Sequence, residues 1–302
     1  MIAIISHDAG GAEILSSWLR RNEEPFCLVL DGPAVDIFKR KIGQCHLTHL
    51  NEAIKQCEWV LCGTSWQSNL ERMAIIQAKA LEKKVVAFLD HWVCYEERFL
   101  EKGAAVYPDE IWVGDEQAHS IAQAHFLKIP VQLKSNPFFE DLQIELEGVK
   151  PHVDNSSQCA FLYVCEPLKE QALLQYGDER YWGYTEEDAL EFFLKHIHAI
   201  DDMAGKIKIR PHPSENKNKY DWVNNATSLN VEMGGDKTLL EEIAESDVVI
   251  GCESMAMVVG MLAKKRVISS IPPGGKACSL PQAEIEHLQA IIENNKTTYL
   301  HV

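Results

Sequence analysis

Short apolar runs, each ending in a polar turn and followed by an amphipathic stretch, recur along this chain and leave it few architectures. In the first half the runs are Ile2–Ser6, Phe26–Leu30, Trp59–Cys62, residues 85–89, Glu110–Val113 and Val131–Leu133. Helical patterns cover residues 11–20, 35–41, 51–55, 69–82 and 116–126 between them. Neighbouring parallel strands need a crossover, usually a helix, so this alternation predicts a mostly parallel, doubly wound α/β sheet. The rhythm stops over 136–158, which holds Pro137, Gly148, Pro151 and Asn155-Ser156-Ser157. It restarts at Cys159–Val164 and continues through strands at 207–210, Val248–Gly251 and Arg266–Ser269. Helices are expected at 185–200, 220–224, Leu239–Ala244, 255–263 and 282–294, with capping boxes at Thr185/Asp188 and Thr238/Glu241. The expected layout is a domain at 1–140, a linker at 141–158 and a second domain at 159–302.

Composition narrows the function classes. The 302 residues are 46% hydrophobic and 25% charged, an ordinary globular balance. The net charge of −16 argues against nucleic acid as a partner, which needs a basic surface, but not against a small anion held in a local positive pocket. The longest apolar runs are far too short to span a bilayer, and no basic leader precedes the first strand, so a cytoplasmic location is expected. The nine cysteines form no Cys-x-x-Cys pair and no ligand-spaced cluster, so reduced, mostly buried thiols and no zinc site are expected.

The candidate functional residues lie where strands end, which is where open α/β sheets bind ligands. Arg210-Pro211-His212-Pro213 closes one strand; its prolines fix φ and remove donors, so Arg210 and His212 are presented from a stiff loop. Glu253 and Ser254 close another strand and open an apolar helix, whose first N–H groups and partial positive charge suit phosphate. Together these four residues read as a site for an anionic, phosphorylated ligand. The plainer readings are a salt-bridged arginine in a rigid turn and a serine that only caps its helix. The first strand ends in Ser6-His7-Asp8-Ala9-Gly10-Gly11. Gly10 and Gly11 allow close approach of a ligand to the backbone, and His7 and Asp8 are placed for general-base work. Alternatively Asp8 caps the first helix and His7 packs beside the sheet. The Gly-x-Gly-x-x-Gly fingerprint is absent, so no nicotinamide cofactor is indicated. Ser65, in the turn after Trp59–Cys62, suits a sugar or phosphate and equally a helix cap. Asp90, His91 and Glu97, interleaved with Trp92 and Tyr95, offer carboxylates for hydroxyls and rings for sugar or base faces. Cys165-Glu166-Pro167 is placed to line the same edge as His212, and the aromatic segment 176–184 either packs or covers a ligand.

Arg210-Pro211-His212-Pro213 resembles the His-Pro motif of bacterial sialyltransferases and related capsule-assembly transferases. Gly251-Cys252-Glu253-Ser254-Met255-Ala256 resembles their later serine motif at a helix start. Over residues 206–269 the chain is thereby similar to glycosyltransferases of the GT-B architecture. The resemblance implies two Rossmann-like, doubly wound domains facing a central cleft. It implies that His212 and Ser254, with Arg210 adjacent, contact the phosphate of a nucleotide-sugar donor, a CMP- or UDP-sugar. A glycan or small-molecule acceptor would lie on the first domain against Gly10, Gly11, Ser65, Asp90 and Glu97. Asp8 is then the preferred base, with His7 or His91 in reserve. The implied activity is an inverting, metal-independent sugar transfer without cofactor, in surface polysaccharide or glycoconjugate biosynthesis, with room for peripheral association with a membrane assembly complex. A nucleotide-sugar epimerase or hydrolase of the same fold, and a non-catalytic nucleotide- or glycan-binding protein, are the open alternatives.

Overall fold

The computed structural model describes residues 1–66, 68–149, 158–216, 218–227 and 229–299. The chain divides into two compact units, Met1–Asp141 and Leu142–Val302.

The first unit runs β1 (Ile2–Ser6), α1 (Ala9–Leu19), β2 (Phe26–Leu30), α2 (Pro33–Ile42), α3 (Leu50–Gln56), β3 (Trp59–Cys62), α4 (Leu70–Ala80) and β4 (Lys84–Leu89). A hairpin of β5 (Leu100–Glu101) and β6 (Ala104–Ala105) follows, then β7 (Glu110–Val113), α5 (Glu116–His125), β8 (Val131–Leu133) and α6 (Pro137–Gly148). Six parallel strands make one sheet in the order β2-β1-β3-β4-β7-β8, with Ile2 opposite both Phe26 and Trp59. Every residue of β1 is buried, which fits a sheet covered by helices on both faces. Ile2, Ile4, Leu61, Val86 and Phe88 pack on one face against Leu15 and Leu19 of α1 and Phe38 of α2.

The second unit runs β9 (Cys159–Val164), α7 (Leu168–Tyr176), α8 (Glu186–Ile200), β10 (Ala204–Arg210), α9 (Val223–Ala226), β11 (Asn230–Met233), α10 (Leu239–Ala244), β12 (Val248–Gly251), α11 (Met255–Leu262), β13 (Arg266–Ser269), β14 (Glu286–His287) and α12 (Leu288–Tyr299). Its six strands are also all parallel, in the order β11-β10-β9-β12-β13-β14. Phe161, Tyr163, Ile207, Ile209 and Ile250 form the core beneath Leu190, Phe193 and Ile197 of α8. Both expected capping boxes are present, on α8 and α10.

Each order reverses once, and the reversal opens a crevice at the strands' carboxyl ends. In the first unit it lies between β1 and β3; in the second it lies between β9 and β12.

Two expectations about the chain's path are corrected. The segment 141–158, expected as a linker, starts inside α6. Asn136 caps that helix by accepting from the Phe138 and Phe139 N–H groups, so Pro137 begins a helix rather than breaking one. Residues 150–157 lie outside the described residues. The terminal helix starts at Leu288, not at 282, because Glu286–His287 first joins the sheet beside β13. The nine cysteines form no disulfide. Among the described residues no helix is long and apolar enough to cross a membrane.

Candidate functional site

The first unit gathers its chemistry at the crevice between β1 and β3. His7 and Asp8 follow β1 directly. Asp8 stands at the N-cap of α1 but makes no capping bond. Its Oδ1 instead meets His7 Nδ1 at 2.7 Å, and its Oδ2 accepts the Trp66 N–H at 2.8 Å across the crevice. A carboxylate on Nδ1 fixes the ring's orientation and places the proton there, leaving Nε2 as the acceptor. Among the described residues nothing hydrogen-bonds Nε2. The ring lies over Gly32, where an added Cβ would sit 2.6 Å from Nε2. The loop is held from below by Glu71 of α4, which accepts the His7 N–H at 2.8 Å and is itself buried. Burial pushes the Glu71 carboxyl above its usual range.

Asp90, at the end of β4, reaches the same edge. Its Oδ1 accepts from Arg98 Nη1 at 2.8 Å and from Thr64 Oγ1 at 3.3 Å, while Arg98 also donates to Thr64 Oγ1 at 2.8 Å. Its Oδ2 faces Gly10: a Cβ there would lie 1.9 Å from that oxygen. Gly11 and Gly63 meet with similar intimacy, a Cβ on Gly11 falling 3.2 Å from the Gly63 Cα. The two glycines called as ligand-approach residues therefore let α1 close onto the β3 and β4 loops. Gly10→Ala, with Asp90 pinned by Arg98, should destabilise the fold by about 1–3 kcal/mol, the scale for overpacking. A melting curve that matches the parent would mean that Asp90 swings away freely.

The remaining first-unit candidates are placed differently. Ser65 is buried, and its carbonyl accepts from Arg72 of α4, which also holds the Ser68 carbonyl. His91 stands edge-on to Trp92, whose indole donates to Asp115 at the start of α5. Glu97 is exposed on the short 3-10 turn Glu97–Phe99. Its neighbour Arg98, missed from sequence, is the buried residue that organises the segment.

In the second unit, His212 sits in the loop after β10. Its Nδ1 takes the Ser214 N–H at 3.2 Å and lies 2.8 Å from the Ser214 hydroxyl. A backbone N–H can only donate, so Nδ1 is the acceptor and the proton of the neutral ring is on Nε2. Burial lowers the His212 pKa below the ordinary imidazole value, opposed by Glu215. His212 is thus a neutral N–H donor on a loop whose backbone is tied by Glu215 to the His212 N–H. Glu215 also binds Lys219 and Tyr220. Among the described residues one carboxylate group, Glu170, Glu186 and Glu215, has metal-ligand spacing. The Lys219 ammonium is bonded to all three and takes the place a cation would have.

Arg210, expected at the phosphate, has partners within its own unit. Its guanidinium donates to Glu242 at 2.6 Å and to the Lys237 carbonyl at 3.0 Å, so it is committed to the start of α10. Nor do the Arg210 and Ser254 loops follow neighbouring strands, because β9 lies between β10 and β12. Ser254 is the N-cap of α11, accepting from Ala256 N–H at 3.1 Å, and its own proton is left for another partner. Glu253 is ion-paired with Lys276 and accepts the Ser279 N–H at 3.0 Å. The crevice itself is filled from β9. Glu166 Oε1 accepts the N–H groups of Cys252 at 3.0 Å and Glu253 at 2.8 Å. Burial raises the Glu166 carboxyl to about 7, helped by Glu253 and opposed by the two N–H groups and Lys276.

No protein-family model matches this chain, and no curated protein matches it in sequence. Solved structures match in fold. The UDP-GlcNAc 2-epimerase of Methanocaldococcus jannaschii aligns over 89% of this chain and 83% of its own, with a TM-score of 0.57 and 11% identity. The glycotransferase of kitacinnamycin aligns over 97% and 84%, with a TM-score of 0.52 and 12% identity. The chain has the GT-B fold. At such identities the likeness is one of fold. What distinguishes this GT-B protein must therefore be read from its own strand ends: an Asp8-oriented His7 in one unit, and in the other a neutral His212 donor and the start of α11.

Proposed function

We propose that this protein is a nucleotide-sugar enzyme that transfers the sugar to an acceptor hydroxyl. The observation that carries this reading is the His7–Asp8 pair. Transfer to a hydroxyl needs a base, whereas a module that only binds an anion does not. His7 Nε2 takes the acceptor proton while Asp8, both of its oxygens engaged, orients the ring and stabilises the imidazolium. This exchanges the roles expected from sequence, in which Asp8 was the base. The acceptor oxygen attacks the anomeric carbon as the bond to the donor phosphate breaks, and a single displacement of this kind inverts that carbon. In the second unit, the His212 Nε2–H and the Ser254 hydroxyl suit the phosphate of a nucleotide sugar. The UDP-sugar epimerase and the glycotransferase of like fold both fit a nucleotide-sugar substrate.

Incubation with a panel of CMP- and UDP-sugars, with and without acceptors, separates the classes. Transfer requires an acceptor; epimerisation or hydrolysis proceeds without one; a binding module gives neither. His212→Ala should weaken nucleotide binding by about tenfold or more, the effect of losing one hydrogen bond to a charged group. Arg210→Ala should leave that affinity nearly unchanged, since its partner is Glu242. Calorimetry showing the reverse order would return Arg210 to the donor site and remove His212 from it.

A further inference from the structure

The crevice of the second sheet already holds an anion of the protein's own. Glu166 follows β9, and one of its carboxylate oxygens takes both N–H groups that lead into α11. Two adjacent N–H groups on one oxygen is how loops before a helix hold phosphate. The first turn of α11 carries no acidic residue, and Ser254 covers the Ala256 N–H with its hydroxyl and the Met257 N–H with its carbonyl, not the N–H groups of Cys252 and Glu253. The seat suited to a ligand's anionic oxygen and the seat of Glu166 are therefore the same.

We propose that the anionic group of the ligand displaces the Glu166 carboxylate from the N–H groups of Cys252 and Glu253, and that Glu166 leaves that seat as the neutral acid. This rests on the reading of the second unit as the anion-binding one. An ionised Glu166 expelled beside a phosphate and beside Glu253 would be an uncompensated charge in a confined place, so one proton from solvent is taken up on binding. The group is poised for it, because its burial already holds the carboxyl near neutrality. The charged groups facing Glu166 are Glu253, on the β12–α11 loop, and Lys276, on the loop after β13. Tyr163 of β9, Cys165 just after it, Cys252, Tyr184 and Cys278 also face it, and all are pushed up by burial, so none ionises near neutrality. His212 sits below the ordinary imidazole value and stays uncharged there. The sign follows: protonated Glu166 yields the seat readily and ionised Glu166 competes for it, so affinity falls as pH rises through about 7.

The test is calorimetric titration of the whole protein with sulfate, which does not titrate in this range, and with UDP-N-acetylglucosamine. Repetition in two buffers of different ionisation enthalpy gives the protons exchanged. The wild type should take up as much as one proton per ligand, and its affinity should drop toward tenfold per pH unit above neutrality. Glu166→Gln keeps a neutral acceptor in the seat; it should abolish the uptake, flatten the pH profile and bind about tenfold or more tightly near pH 8. The proposal is overturned by wild-type binding without proton uptake, or by a Glu166→Gln protein that binds more weakly at every pH, as a purely structural anchor would. If that variant does not fold, wild-type proton uptake alone decides. Failure of the underlying reading looks different: neither probe binds the wild type, or both bind equally to His212→Ala, and either result sinks the two together.

Discussion

His7→Asn should lower kcat/KM for sugar transfer by about a hundredfold to ten-thousandfold, the range for loss of a general base, with little change in melting temperature. The fold contact of this residue is its backbone N–H on Glu71, which any side chain preserves. Asparagine is close in size and can keep a bond to Asp8, but it has no nitrogen able to take a proton. Asp8→Asn should cost less than His7→Asn. It retains an oxygen for the Trp66 N–H but no longer fixes the tautomer or balances the imidazolium. Full turnover of His7→Asn with an inactive Asp8→Asn would restore Asp8 as the base.

What could be read in the sequence was what is local. β1 and β12 are short apolar segments with turns at both ends, and they are buried on both faces as such runs must be. The boxes Thr185/Asp188 and Thr238/Glu241 close within one turn, so the residues that form them also announce them. α7 was missed because its pattern contradicts its state: Leu168 and Ala172 are buried, but Leu173, Leu174 and Tyr176 face solvent and erase the periodicity. α6 was missed because a proline read as a break stands where a helix can begin. The site was not legible where it depends on order in space. That β9 lies between β10 and β12 is a property of the sheet, not of any segment, and it puts Glu166 rather than Arg210 beside the α11 loop. Arg210 is turned to α10 by Glu242, thirty-two residues further on. Asp8, conversely, looked like a cap and stands at the cap position, yet His7 and Trp66 hold its oxygens.

Arg98 is the residue whose removal should be felt most in stability. Its side chain is 5% exposed and is the only cation bonded to Asp90 among the described residues. It also donates to Thr64 and to the Val93 carbonyl, so it ties the loop after β3 to the loop after β4. Arg98→Met replaces the bulk with an apolar chain but leaves the Asp90 carboxylate, Thr64 and Gly10 around an unpaired charge. Breaking a buried pair from one side is expected to destabilise by about 3–5 kcal/mol, because the remaining ion keeps its desolvation and loses its partner. Denaturant unfolding should show this as a lower midpoint for the first unit. Asp90→Asn combined with Arg98→Met removes the orphaned charge, so the double variant should recover part of the loss, and the cycle gives the coupling directly. A loss below about 1 kcal/mol would match a solvated surface pair instead. Asp90 would then be wet and mobile at the β4 edge, free to accept from a sugar hydroxyl, and Gly10 would no longer be needed to accommodate a fixed carboxylate.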